Sequence, residues 1–224
     1  MKGYKTLLYV LMVLPVAATL AVLQFLPDQI PAHYEFNGQV DRWGSKYETL
    51  IVPAMTLVFG LIMILCARYA SKQEKDGRNN EKICILTGVF SLAVFNVMTA
   101  YFLYTSYYMV ENLADVKVDL SQLVFVLMGV LMVVVGNVMP KLRKNSLIGL
   151  RTPWSMANEA TWKKSQRFGR IAFVVTGILL ILACLFTKGI GCFVAFVVIM
   201  VPSVCIQTYY TYKAAQSQQS GNQK

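Results

Sequence analysis

The sequence predicts an all-α integral membrane protein. It would have six transmembrane helices, both termini in the cytoplasm, a small outer β-hairpin-like loop and an inner interfacial helix. Three observations predict this. The 224 residues are 56% hydrophobic and only 14% charged, whereas a soluble domain carries about 25% charge to stay in solution. Six stretches contain no Asp, Glu, Lys or Arg, at 6–26, 49–67, 83–110, 120–140, 171–187 and 189–212, and about 20 apolar residues suffice for a helix to cross the hydrocarbon. Of the 21 Lys and Arg, only Arg42, Lys46, Lys117 and Lys188 fall in one set of connections. The positive-inside rule therefore places 27–48, 111–119 and the turn at Lys188 outside, and everything else polar inside. So much apolar residue excludes disorder. The net charge of +10 reflects topology, and direct binding to nucleic acid is not expected.

The first span follows Lys2 and Lys5 as a signal peptide would. Its apolar run is longer than the roughly 7–15 residues of such a peptide, and no small-x-small site closes it, so a retained helix is expected. Pro15 and, in the sixth span, Pro202 lie inside helices. Pro27 and Pro31 end the first helix. Asn37-Gly38 is the preferred pair for a two-residue type I′ turn, which pairs 32–36 with 39–43 and sets His33 opposite Arg42. Side chains alternate faces. His33, Glu35, Val40 and Arg42 then share one face, and Ala32, Tyr34, Phe36, Asp41 and Trp43 the other. A regular hairpin keeps His33 and Asp41 apart, so a metal site of His33, Glu35 and Asp41 requires a distorted loop. Three readings stay open for this loop: an aromatic-faced hairpin on the membrane surface, a ligand or metal site, and a partner-recognition loop.

Tyr101, Tyr104, Tyr107 and Tyr108 end the third span as an outer aromatic belt, and Tyr209, Tyr210 and Tyr212 end the sixth as an inner one. The fifth run is the shortest and leaves Lys188 to snorkel outward. The expected organisation is an N-terminal two-helix domain at 1–70 with the outer loop 27–48. A connecting loop, the third helix and an outer loop occupy 71–119. A C-terminal three-helix domain spans 120–212 with the inner loop 141–170, and a polar tail covers 213–224. That inner loop holds eight basic residues and one acidic, Glu159, a cluster that attracts anionic lipid. Thr152-Pro153 is a good N-cap and N1 pair, so a helix is expected to start there. Trp154, Ala157, Thr161 and Phe168 would share one side, and Trp154 and Trp162 would anchor it at the interface. Docking of lipid or a partner, and bracing of helix ends, are both open readings.

No span holds an ionisable residue, and such residues mark transport paths and proton relays. Gln24, Asn96 and Asn137 are the strongest polar groups at depth and read as interhelical hydrogen-bond formers. Ser-His-Asp, HExxH and P-loop patterns are absent, and His33 is the single histidine. The five cysteines, Cys66, Cys84, Cys184, Cys192 and Cys205, match no metal spacing. No enzyme activity, cofactor or metal is expected.

Two sets of residues carry a resemblance. Pro27-Asp28-Gln29-Ile30-Pro31-x-His33 followed by Gly38-x-x-Asp41-x-Trp43-Gly44-Ser45-Lys46 resembles the domain of unknown function that accompanies bacterial immunity proteins, over roughly residues 8–60. Gly136-Asn137-x-Met139-Pro140-Lys141, Asn145-x-x-Ile148-Gly149-x-Arg151-Thr152-Pro153-Trp154-Ser155 and Glu159-x-x-Trp162 resemble the core of the SdpI family, over roughly residues 120–205. Gln166 stands where that family often has His. The resemblance implies a bacterial plasma-membrane protein that protects its cell from a secreted, membrane-active toxic peptide. In the best-known system such a protein also captures a small cytoplasmic DNA-binding repressor. On this basis His33, Glu35, Gly38, Asp41 and Trp43 are expected to form a toxin-sensing outer loop. Asn137, Arg151, Thr152, Pro153, Trp154, Glu159, Trp162 and Arg167 are expected to form an inner docking loop. Membrane lipids, the peptide and the repressor are the implied partners. The rival readings are a peptide or lipid transporter, which would want internal repeats, and a membrane enzyme with a metal at the outer loop.

Overall fold

The structure is a computed structural model that describes residues 2–35, 37–72 and 78–221. Helix α1 (Lys2–Leu23) is followed by β1 (Gln29–Tyr34), β2 (Val40–Ser45), α2 (Ile51–Lys72), α3 (Arg78–Tyr107), α4 (Leu120–Val138), α5 (Glu159–Phe186) and α6 (Ile190–Gly221). Among the described residues, six helices are long and apolar enough to cross a membrane. Their outer faces settle the solvent. Val13 is 58% exposed, Leu65 61%, Val198 63% and Phe186 87%, and stripes of bare aliphatic side chain on four helices are stable only against lipid. The chain is a multi-pass membrane protein.

Helices α1, α2 and α3 enclose one apolar core, in which Leu8 and Met12 meet Ala67, Ala70, Cys84, Ile85, Val89 and Leu92. Helices α4, α5 and α6 enclose another around Leu180, Cys184 and Cys192, backed by Phe125 and Phe196. Close approach of α4 and α5 is set by glycine. A Cβ on Gly129 would lie 2.8 Å from the Gly177 carbonyl, and one on Gly177 would lie 2.5 Å from the Gly129 carbonyl, so only small residues let these backbones touch.

The polar groups at depth divide in a way the sequence did not indicate. Asn96 Nδ2 donates to Leu11 O of α1 at 2.8 Å as well as to Leu92 O of its own helix. Among the described residues Gln24, just past α1, and Asn137 bond only backward along the chain, to Ala21 O and Val133 O. The helix-bridging roles fall instead to Gln122, whose Nε2 donates to Cys184 O and Thr187 O of the α5 end, and to Thr176 and Ser203, whose hydroxyls meet at 2.7 Å between α5 and α6. Both pairs carry short side chains or sit near helix ends, where the neighbouring backbone is within reach.

Two local expectations are corrected. The hairpin is not a two-residue turn: Glu35 N–H donates to Gln39 O, and Gly38 N–H donates to Glu35 O. Glu35, rather than Phe36, therefore faces Gln39; Phe36 itself lies outside the described residues. Gly38 takes φ 87°, as the left-handed residue of a wider hairpin loop does. His33 does pair with Arg42, but Ala32 and Asp41 are left over at register shifts on either side, and these bulges reorient side chains. The second correction concerns α5, which starts at Glu159 and not at Thr152-Pro153. Thr152 does begin a turn, with Ser155 N–H donating to its Oγ1 at 3.0 Å. That turn ends after one cycle, because Asn158 is extended at φ −153°, ψ 173° and caps a new helix through Thr161 N–H. The helical part of the inner loop is thus the polar first third of α5, continuous with its membrane span.

Candidate functional site

The molecule has two polar ends. At one end the start of α1 meets α3 through the Lys5–Glu81 ion pair at 2.7 Å, and the segment 139–158 and the end of α6 join them. At the other end lie the hairpin, the connection 108–119 and the turn between α5 and α6.

The hairpin end is a braced platform. Arg42 grips Glu48 with both guanidinium nitrogens, at 3.2 and 2.8 Å, and Glu48 also accepts from Ser45 N–H, closing a capping box at the foot of β2. Lys46 pairs with Asp28 at 2.9 Å across the strand ends. These partners move the proton affinities in the directions ion pairs require. The hydrogen bond from Arg42 holds the Glu48 carboxyl below its ordinary range, and the hydrogen bond from Lys46 does the same to Asp28. Lys46 in turn is raised, chiefly by its hydrogen bond to Asp28. Tyr34 is half-buried at the base of the hairpin; its OH donates to Val110 O at 2.9 Å, and burial pushes the phenol up.

The tip docks on the connection between α3 and α4. Val40 N–H donates to Glu111 O and Leu113 N–H to Gly38 O at 2.8 Å, with Gln39 bridged to Asn112. A Cβ on Gly38 would reach Asn112 and Leu113 only at van der Waals contact, 3.4 Å, so it is the positive φ of the turn that calls for glycine here.

The bulges bring together what a regular hairpin would part. His33 Nδ1 lies 2.6 Å from Asp41 Oδ1, with the side chains 62% and 35% exposed. The carboxylate orients the ring and leaves Nε2 free to meet a polar ligand. Glu35 does not join them; it accepts from Asn37 Nδ2 at 2.9 Å. Among the described residues no three His, Cys, Asp or Glu cluster as a metal site would need. Trp43, Tyr47, Tyr104, Tyr107 and Tyr108 are all more than 40% exposed at this end, which gives it an aromatic surface beside the polar pair.

At the other end the expected docking residues separate by role. Arg151, Pro153, Trp154, Glu159 and Arg167 are exposed, whereas Thr152 is half-buried. Its Oγ1 donates to Thr211 Oγ1 of α6 at 2.9 Å, and the Trp154 ring stands edge-on to Tyr212 at 5.3 Å. Asn137 is exposed on α4 and bonds its own helix. Trp162 is no interfacial anchor: it is fully buried with Ile83, Met139 and Leu142, and its Nε1–H donates to Leu142 O at 2.9 Å. A buried indole must find such an acceptor, and the chain turn after α4 supplies it.

Three residues that organise this end were not among the expected site residues. Asn80 bonds both Arg143 N–H and Arg143 O. Asn145 Oδ1 accepts from Leu147 and Ile148 N–H while its Nδ2 donates to Arg143 O and Ile148 O. Gln166, buried in α5, accepts from Leu150 N–H and donates to Leu150 O, both at 3.0 Å. Each is an uncharged amide among lysines and arginines, and an amide both donates and accepts, as clamping a peptide unit demands. Asn145 lies in the quoted motif and Gln166 marks a departure from it, so the sequence pointed to both positions without showing what they hold; for Asn80 the composition was the one signal.

Residues 141–209 match the SdpI/YfhL protein family, and residues 10–57 match a domain of unknown function, DUF1648. Over 201 residues the chain is 24% identical to the immunity protein SdpI of Bacillus subtilis (strain 168), an alignment that covers 87% of this chain and 89% of that protein. No solved structure matches.

Proposed function

We propose an immunity function, protection of a bacterial cell from a secreted, membrane-active toxic peptide, for a chain whose residues 141–209 match the SdpI/YfhL family and whose residues 10–57 match DUF1648. The observation that carries this reading is the alignment with an immunity protein along 87% of the chain, through both ends of the molecule. The distribution of Lys and Arg supports a plasma-membrane protein with both termini inside, so the hairpin end faces the source of the peptide. There an amphiphilic peptide meets exposed tyrosines and Trp43 beside the polar His33–Asp41 pair. Aromatic surface takes up its apolar face, and the oriented imidazole and carboxylate take up its backbone or charged groups.

The test is direct. Deleting the gene raises sensitivity to the toxic peptide at least tenfold, and the wild-type gene restores resistance. His33→Ala and Asp41→Ala proteins, present at normal level in the membrane, restore little of it. Equal sensitivity with and without the gene, across the peptides that relatives secrete, overturns the reading.

A finer proposal concerns readout. The 150–156 segment is fixed to α6 by Thr152–Thr211 and Trp154–Tyr212, which presents Arg151 and Trp154 at a defined place on the inner end. This favours capture there of a small cytoplasmic DNA-binding repressor. Arg151→Ala is expected to abolish recruitment while leaving resistance in place, measured by membrane localisation of the tagged repressor.

A further inference from the structure

We propose that the inner end holds a binding site for a phosphate-bearing anion, formed between the 140–144 corner and the first turns of α5. A cavity of about 810 Å³ opens there, and among the described residues its lining includes Lys141, Arg143, Lys144, Lys163 and Arg167 with one carboxylate, Glu159. Lys141, Lys144, Lys163 and Arg167 around one cavity repel one another, and an anion between them relieves that repulsion. Among the described residues, Lys141, Lys144, Lys163 and Arg167 form no ion pair, so their charge is available to a ligand.

The corner is built to hold that shape. Lys141 O accepts from Asn79 Nδ2 at 3.2 Å, Leu142 O from Trp162 Nε1 at 2.9 Å and Arg143 O from Asn80 Nδ2 at 3.3 Å. Three consecutive carbonyls are thus held by side chains of α3 and α5. Fixing the backbone in advance lowers the entropic cost of binding, and turning its carbonyl oxygens onto protein donors leaves them less free to oppose an anion.

Depth points to the source. Lys141 directly follows the uncharged run 120–140, and Arg167 precedes the run 171–187 by one helical turn, about 6 Å. Cations at that level lie where a bilayer carries its phosphates, and basic pockets between helices bind anionic headgroups. A lipid headgroup and a soluble phosphate share this chemistry, and the experiment separates them.

Purified full-length protein in detergent is titrated with phosphatidylglycerol or phosphatidylcholine, and bound lipid is read by native mass spectrometry. Wild type is expected to retain phosphatidylglycerol about tenfold over phosphatidylcholine. K141Q/K144Q and K163Q/R167Q each lose that preference, whereas Lys213→Gln, outside the cavity, keeps it. Displacement by glycerol 3-phosphate at micromolar concentration assigns the site to a soluble phosphate; retention of lipid against it assigns the site to the headgroup. Equal retention of the two lipids without binding of glycerol 3-phosphate, or a preference unchanged in both double variants, overturns the proposal. If those variants fail to fold, Glu159→Gln decides, since it removes the opposing charge and spares every cation: retention rising about threefold supports the site, and unchanged retention overturns it. The inference rests on the cavity and the membrane fold alone, so its failure leaves the immunity reading standing.

Discussion

Trp162 and Gln166 hold the inner loop on α5, the one by filling volume and the other by closing a peptide unit. Trp162→Ala removes a fully buried indole together with its bond to Leu142 O, and large-to-small changes of this kind cost about 3–5 kcal/mol. Thermal unfolding of the purified protein is expected to show a loss of that order, with surface Trp154→Ala costing far less. Gln166→Leu keeps the volume but orphans Leu150 N–H, a penalty of about 1–3 kcal/mol for a buried group left unmet, while Leu150 C=O keeps the Ser155 hydroxyl as donor at 2.9 Å. At the hairpin the residue scale is electrostatic. Glu48 and Asp28 titrate lower in the fold than in the unfolded chain. Their stabilisation is therefore full above the ordinary carboxylate range, about pH 4, and is lost as pH falls through the lowered folded values. Lys46, raised by Asp28, has the opposite sign: its contribution is full below about pH 10.4 and is lost above it. The guanidinium signals of Arg42 in nitrogen-15 spectra are expected to hold steady from pH 5 to 9 and to move only below about pH 4. Movement near neutrality would show that Glu48 is not its partner.

At the scale of elements, the contacts that matter are those where one helix end or face meets another. Gly129 and Gly177 set the α4–α5 distance, so Gly177→Leu cannot be absorbed by a rotamer change. The variant is expected to lose its α4–α5 packing and to fall to a small fraction of wild-type level in the membrane, while Gly191→Ala, where a Cβ meets only the Thr187 side chain at 3.3 Å, is tolerated. The boundary at Asn158 is a second such place. Its side chain caps Thr161 N–H at 2.8 Å while Thr161 Oγ1 accepts from Asn158 N–H. Removing a cap of this kind costs about 1 kcal/mol, which Asn158→Ala should show as a small drop in melting temperature.

The whole molecule is a two-ended bundle whose charged groups lie at its ends, since no Asp, Glu, Lys, Arg or His lies within the apolar runs. The proposed orientation makes a plain prediction. With membrane-impermeant maleimide on intact cells, Gln39→Cys at the hairpin tip is labelled and Ala160→Cys at the start of α5 is labelled only after permeabilisation. Reversed labelling would place the hairpin inside and remove the peptide-facing role from His33 and Asp41.

The sequence by itself determined the six spans and the presence of a hairpin, because a helix that crosses lipid must be continuously apolar and a charge is costly anywhere along it; the helices themselves run past those spans, α5 beginning at Glu159 and α6 ending at Gly221. It also exposed the family motifs, since those lie in the polar connections where residue identity is least dictated by lipid. Only the tertiary structure decided how those connections fold. Two bulges, invisible to a period of two, turn His33 and Asp41 toward each other and leave Glu35 with Asn37. A single extended residue, Asn158, converts an expected interfacial helix into the polar start of α5. Trp162 reads as an interfacial anchor in a basic loop, yet it is buried because Leu142 O, 20 positions earlier, waits for its N–H. Long-range partners of this kind leave no local periodicity, and it is they that shape both the hairpin platform and the basic cavity.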